Sequence, residues 1–148
     1  MRILDLGCGR RKTEGAIGID WIKLPGVDIV HNLNSFPYPF ENNYFDKIIA
    51  KNIIEHLKDT VKAMEELYRI LKPGGILYIE VPIFPNECCW KDPTHVKVFV
   101  KDTFDFFDPT TDLGKENIYC TKARFKIKSK TTDSWGPNLY LELEAIKI

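Results

Sequence analysis

The stretch Ile3-Leu4-Asp5-Leu6-Gly7-Cys8-Gly9, with Asp20 eleven residues beyond Gly9, decides the fold. A short apolar run ending in two glycines predicts a buried strand, here from Arg2 to Leu6, that turns sharply at its carboxyl end. Bare backbone there lets a ligand lie close, and its amides can hold a carboxylate or a phosphate. An acidic side chain at the tip of the next strand suits the two hydroxyls of a ribose. Outward from this point, compact apolar runs recur at Ala16 to Asp20, Val27 to Val30, Phe45 to Ala50 and Ile76 to Val81, the last reached through Lys72-Pro73-Gly74-Gly75. Runs of this kind mark central parallel strands covered on both faces. Between the fourth and fifth runs, Val61, Met64, Leu67, Tyr68 and Leu71 recur at three- and four-residue steps, with Lys62, Glu65, Glu66 and Arg69 on the opposite side. That spacing predicts an amphipathic helix, capped by Asp59 or Thr60 and stopped by Pro73-Gly74-Gly75. A shorter helix is expected after Asp102, through Phe104 and Phe107. Strands alternating with helices in this order imply parallel crossovers in an open α/β sheet.

The end of the chain changes period. Lys122, Arg124, Lys126, Lys128 and Lys130 occupy even positions, with Ala123, Phe125 and Ile127 between them. Leu139, Leu141, Leu143 and Ala145 occupy odd positions, with Glu142 and Glu144 between them. Two half-buried antiparallel strands follow, joined by Asp133-Ser134-Trp135-Gly136-Pro137-Asn138 as the turn. The expected fold is thus a Rossmann-like, mostly parallel sheet ending in an antiparallel hairpin. Pairing of Arg124 and Lys126 with Glu142 and Glu144 accounts for the basic stripe as a solvated face, and Phe125 has the wrong parity to serve a nucleic-acid track. Glu80, inside a central strand, calls for a structural partner.

Composition narrows the class. The 148 residues are 44% apolar, 28% charged and 12% aromatic, with 21 basic and 21 acidic side chains. This fits one domain over residues 1–148, and zero net charge supplies no whole-molecule attraction to nucleic acid or membrane. No apolar run approaches the ~20 residues of a membrane span, and no leader pattern precedes the first strand, so a soluble cytoplasmic protein is expected. Cys8, Cys88, Cys89 and Cys120 lack the spacing of zinc or redox motifs, so free thiols and no metal are expected.

Four segments, in order, resemble the class I S-adenosylmethionine-dependent methyltransferases, with the closest likeness to the methyltransferase type 11 group. Ile3 to Gly9 is similar to motif I, and Gly18-Ile19-Asp20-Trp21 resembles the ribose-binding end of strand two. Phe45-Asp46-Lys47-Ile48 with Glu55-His56-Leu57 resembles the fourth-strand segment, and Arg69-Ile70-Leu71-Lys72-Pro73-Gly74-Gly75 the approach to strand five. The resemblance implies S-adenosyl-L-methionine as cofactor and S-adenosyl-L-homocysteine as product. It implies that Asp5, Gly7, Cys8 and Gly9 shape the methionine loop, that Asp20 receives the ribose and that Trp21 lies along the adenine. Asn32 and Leu33 would face the adenine, and Ala50, Lys51 and Asn52 would close the floor beside the methyl group. Asp92-Pro93-Thr94-His95, ahead of an aromatic-rich segment, also has a counterpart in that group.

Methyl transfer depends mainly on alignment, so a general base is needed only for some acceptors; His56 and His95 are the candidates. Lys51-Asn52-Ile53-Ile54 departs from the Asn/Asp-Pro-Pro-aromatic segment of many amino-group methyltransferases, which leaves a small molecule or a sugar as the default acceptor. A non-catalytic module of the same fold and a dinucleotide-dependent oxidoreductase are the alternatives. Lys12, where a third glycine would stand, counts against the latter. Helices usually precede motif I in the methyltransferase family, whereas here strand one is expected to follow Met1 directly, and only nine residues, Gly7 to Gly15, separate the first two strands. The first helix is therefore expected to be shortened to a turn or two. A homodimer, or a protein partner covering that side of the sheet, is expected in consequence.

Overall fold

The computed structural model describes residues 1–135 and 137–148; Gly136, part of the expected hairpin turn, lies outside the described residues. Strands β1 (Ile3–Leu6), β2 (Ile17–Asp20), β3 (Ile29–Val30), β4 (Phe45–Lys51), β5 (Leu71–Pro82), β6 (Phe125–Thr132) and β7 (Asn138–Ala145) form one sheet in the order β3-β2-β1-β4-β5-β7-β6. The first five are parallel, and β7 runs antiparallel to both β5 and β6. The sheet thus reverses its order beside β1 and β4, and ligands of open α/β sheets bind at the carboxyl ends of strands at such a switch point.

Register divides the side chains between two faces. Leu4, Leu6, Ile19, Ile48, Ala50, Leu77, Ile79, Leu141 and Leu143 share one face and are fully buried. The helix α1 (Thr60–Ile70) contributes Ala63, Met64, Leu67 and Ile70 to the same core. Asp59 caps it through an Oδ1 that accepts the Lys62 amide at 3.0 Å, as the sequence allows. The opposite face carries Lys47, Tyr78, Glu80, Tyr140, Glu142 and Glu144, all half-buried. There Tyr78 donates to Glu80 at 2.7 Å, the structural partner that carboxylate required. Coverage of both faces, expected from the apolar runs, is therefore corrected. The connections from β1 to β2 and from β2 to β3 contain no helix, and the open face is polar toward β5 and β7.

Four other expectations change. The shortened first helix is absent altogether, since residues 7–16 form only turns. Pro73-Gly74-Gly75 does not stop α1: the helix ends at Ile70, Leu71 is already extended, and the Lys-Pro-Gly-Gly segment sits in a register shift of β5 against β4. The segment after Asp102 is a 3-10 turn, Thr103–Phe107, which buries Phe104 and Phe107. Lys126 lies opposite Glu144 in register, but its ammonium donates to the Thr110 hydroxyl at 2.8 Å while Glu144 pairs with Lys128 at 3.0 Å, and Arg124 turns back to the carbonyls of Ile118, Thr121 and Ala123. Lys130 is held by Asp102 and Asp105, each at 2.7 Å, so most of the basic stripe is internally paired. Two short helices that the periodicity did not indicate, α2 (Cys88–Lys91) and α3 (Asp112–Glu116), lie between β5 and β6. Among the described residues no helix is long and apolar enough to cross a membrane.

Candidate active site at the carboxyl ends of the parallel strands

The loop after β1 is built by two carboxylates. Asp5, 5% exposed, accepts the Thr13 amide at 2.7 Å and pins the far limb of the loop under β1. Asp20 accepts the Gly9 amide at 2.8 Å and its neighbour Trp21's at 2.7 Å. The amides of Gly7 and Cys8 both reach the Ile19 carbonyl, at 2.9 and 3.3 Å. The loop amides thus bind the protein itself, and what faces solvent at Gly9 is bare backbone. Gly7 has φ +66°, and a Cβ there would lie 2.5 Å from the Ile53 side chain. Gly9 has φ +53°, and a Cβ there would meet nothing within 4 Å. Gly7 is therefore required by packing, whereas at Gly9 the space is left open. Cys8, buried against Gly18, has its thiol pushed up to about 11 by burial, with Asp5 and Asp20 adding to the effect.

A cavity of about 620 Å³ opens beside this loop, and Asp20, Trp21, Asn32, Leu33, Asn52, His56 and Thr94 are among the residues that line it. Its size is in the ordinary range for small-molecule sites. Each wall is tied down. The Asp20 carbonyl accepts the His31 amide at 2.8 Å, Tyr38 donates to the Leu33 carbonyl at 2.9 Å, and the Asn34 side chain accepts the Lys58 amide at 2.9 Å. Trp21 stands 69% exposed at the rim. Asn52 has φ +53°, a left-handed conformation that asparagine tolerates better than most residues. Its amide donates to the Glu80 carbonyl at 2.8 Å, which turns β4 into the cavity floor.

A second cavity, about 510 Å³, shares Asn52 and His56 with the first and is bordered by Glu55, Asp92 and His95. Glu55, in the 3-10 turn Ile54–His56, is 1% exposed, and neither carboxylate oxygen has a hydrogen-bond partner. Burial pushes its carboxyl up to about 7. His56 Nε2 and His95 Nε2 lie 3.9 and 3.8 Å from Glu55 Oε1, too far for hydrogen bonds. The two rings meet edge to face at 4.6 Å. Burial, and then the neighbouring His95, hold the His56 ring below its ordinary pKa.

The residues expected at the site divide into two groups. Asp20, Trp21, Asn32, Leu33, Asn52 and His56 come together on the first cavity, and His95 lies on the second. Asp5, Gly7, Cys8 and Gly9 lie behind or beside the first cavity as its frame. Ala50 is fully buried in the sheet, and Lys51 is exposed away from the lining. Sequence reasoning missed Glu55 and Thr94 as site residues. The signal was the adjacency of Glu55 to His56 and the Asp92-Pro93-Thr94-His95 run, but only folding shows that the two segments meet. Of the aromatic residues after β5, Trp90 and Phe106 line neither cavity, and Phe99 is core. All four cysteines are free.

These residues fit an adenosyl cofactor. Asp20 keeps lone pairs for ribose hydroxyls after accepting two amides, the exposed Trp21 ring offers a face to a base, and the open space at Gly9 admits a close backbone contact. Comparison with known proteins gives the same direction. Residues 4–79 match the family model Methyltransf_11, described as a methyltransferase domain. The demethylmenaquinone methyltransferase of Listeria welshimeri is 33% identical over 86 residues, 58% of this chain and 34% of that protein. The chain thus spans about a third of the length of the curated relatives it matches. An S-adenosylmethionine-dependent methyltransferase from Archaeoglobus fulgidus superposes with a TM-score of 0.68 at 17% identity, covering 97% of this chain and 85% of that one. A chain of the complex between the Haloferax volcanii Trm112 methyltransferase activator and a methyltransferase gives 0.67 at 16% identity, covering 99% and 83%. Motif, sheet order and family match agree, and the chain belongs to the methyltransferase-domain family, whose cofactor is S-adenosylmethionine.

Proposed function

We propose that residues 1–148 act as one domain in the cytoplasm and bind S-adenosylmethionine in the 620 Å³ crevice, transferring its methyl group to a small-molecule acceptor. The observation that carries this reading is the position of Asp20 at the mouth of the crevice, hydrogen-bonded to Gly9 with open space before it. Asp20 receives the ribose, Trp21, Asn32 and Leu33 flank the base, and Gly7 and Gly9 keep the loop narrow beside the methionine portion. The bound cofactor supplies a methyl group already activated on a sulfonium. Asn52, His56 and Thr94 orient the acceptor in the same cavity, and His56 or His95 is placed to take a proton where the acceptor must lose one. The name of the Listeria relative makes a quinol the first acceptor class to screen, with sugars next.

The partly open sheet face supports a homodimer or a protein partner over the β1–β2 side, and the Haloferax structure is a precedent for an activator bound to a methyltransferase. Sedimentation at micromolar concentration tests self-association, and a clean monomer counts against the dimer. For the cofactor, a thermal-shift screen against S-adenosylmethionine, S-adenosylhomocysteine, NAD and FAD is expected to give a shift only with the first two. A ligand at a hundred times its Kd stabilises by about 2.7 kcal/mol. A shift with NAD or FAD alone would favour the oxidoreductase alternative. Binding of S-adenosylhomocysteine without turnover of any acceptor would favour the non-catalytic one.

A further inference from the structure

The cluster of Glu55, His56 and His95 is not explained by cofactor binding. One ligand atom from each lies within 4.8 Å of the others. The donor count at this point does not close. The Thr94 hydroxyl donates to Asp92 Oδ1 at 2.6 Å, so its proton is not available to His56. His56 Nδ1 lies 3.0 Å from that hydroxyl oxygen and 3.2 Å from the Thr94 carbonyl, so Nδ1 carries the hydrogen and donates. In the neutral ring this leaves a lone pair on Nε2, facing the Glu55 carboxylate. A buried carboxylate with two unpartnered oxygens and an imidazole lone pair therefore converge without a hydrogen bond between them, and the His95 Nδ1 is buried and unpartnered as well. His95 Nε2 completes the group, and Asp92 Oδ2 lies 3.4 Å from it at the rim. Unpaired buried polar groups of this kind are costly, and a cation is what they lack.

We propose that Glu55, His56 and His95 form a binding site for one first-row divalent transition cation, such as Zn²⁺ or Co²⁺. Two imidazoles and one carboxylate suit these ions better than Mg²⁺ or Ca²⁺, which take oxygen ligands. Around an ion with bonds of about 2.1 Å, neighbouring ligand atoms lie about 3–3.5 Å apart. The two histidine–carboxylate separations, 3.8 and 3.9 Å, need a small closure of the side chains, and the group as a whole, spanning up to 4.8 Å, needs a larger one. The Nδ1–H to carbonyl bond of His56 is the arrangement that orients a metal-ligating histidine and fixes its tautomer. The backbone is held as well, because the Val96 amide donates to the Glu55 carbonyl at 2.9 Å, locking the two ligand-bearing segments together. The remaining coordination positions face the 510 Å³ cavity, with Asp92 within reach of one of them, and while an ion is bound His56 and His95 hold it instead of taking a proton from the acceptor.

The test is titration of the metal-stripped chain with Zn²⁺ by calorimetry and with Co²⁺ by visible absorption. One ion per chain is expected, with a micromolar or tighter Kd and a Co²⁺ spectrum of nitrogen and oxygen ligands. Glu55→Gln and His95→Gln should each weaken binding at least tenfold. His31→Gln, outside the cluster, and Cys88→Ser, on the same cavity wall, should leave it unchanged. Thermal melts establish that the variants are folded, and if Glu55→Gln is not, His95→Gln carries the comparison. Absence of stoichiometric binding would overturn the proposal and leave a proton as the cluster's cation; so would survival of binding in both variants, or its loss in Cys88→Ser. S-adenosylhomocysteine binding is measured on the same stripped chain, so failure of the metal site and failure of the cofactor reading appear in separate titrations.

Discussion

The two adjoining cavities are opposites in how the buried carboxylates beside them are treated. Beside the first, Asp5 and Asp20 both accept backbone amides, Thr13 for one and Gly9 and Trp21 for the other. Beside the second, Glu55 is more deeply buried than either and has no partner. The first arrangement is a frame: its charges lower the free energy of the loop and leave little to reorganise when a ligand enters. The second is a site held open at a cost, which ordinarily signals a group kept for function. Mutations should therefore act in opposite directions beside the two cavities.

The largest effect is expected at Gly7. A Cβ in its left-handed backbone, 2.5 Å from Ile53, combines strain with overpacking, and Gly7→Ala should cost about 3 kcal/mol in urea unfolding. Gly9→Ala carries only the backbone strain, about 1 kcal/mol, because its Cβ meets open space. Equal costs at the two glycines would erase the distinction between packing and ligand space. Next, Asp5→Ala removes the acceptor of the Thr13 amide and should lose about 1–2 kcal/mol. Glu55→Leu in the metal-free chain should gain about 1 kcal/mol, since an uncompensated buried carboxyl is replaced by an apolar side chain. A loss at Glu55 as large as that at Asp5 would mean that its oxygens are satisfied in solution. The smallest effect is a rate. With its thiol raised to about 11, Cys8 stays protonated through neutral pH, and Cys89 is buried too. Iodoacetamide at pH 8 should label the exposed Cys88 and Cys120 first; early labelling of Cys8 would show that the loop opens.

The turn after β1 was legible in the sequence because its signals are local. Gly7 and Gly9 follow a strand of four residues, and Asp20 ends the next strand, so each reports its own backbone. The mostly parallel sheet and its terminal hairpin followed from the apolar runs and the change of period, and α1 from its apolar spacing; the order of the strands came only with the fold. Coverage of the sheet was legible only in part: the short link between β1 and β2 pointed to a thinly covered face, but the strands themselves did not. Apolar runs in β1, β4 and β5 suggest two buried faces, but short strands carry too few residues to separate buried from half-buried parity, and Tyr78 and Glu80 interrupt the run in β5. The meeting of Glu55 with His95 was the least legible. Glu55 and His95 are 40 residues apart in the sequence, and they meet only because the Val96 amide docks on the 3-10 turn. Periodicity carries no trace of such a contact.

The account rests on Asp20 receiving the ribose of an adenosyl cofactor, and calorimetric titration with S-adenosylhomocysteine tests it most directly. One site per chain is predicted, and Asp20→Ala, shown by thermal melting to be folded, should bind ten- to a hundredfold more weakly, the cost of charge-assisted hydrogen bonds. Equal affinity in the two proteins, or no binding by the wild type, would contradict the assignment.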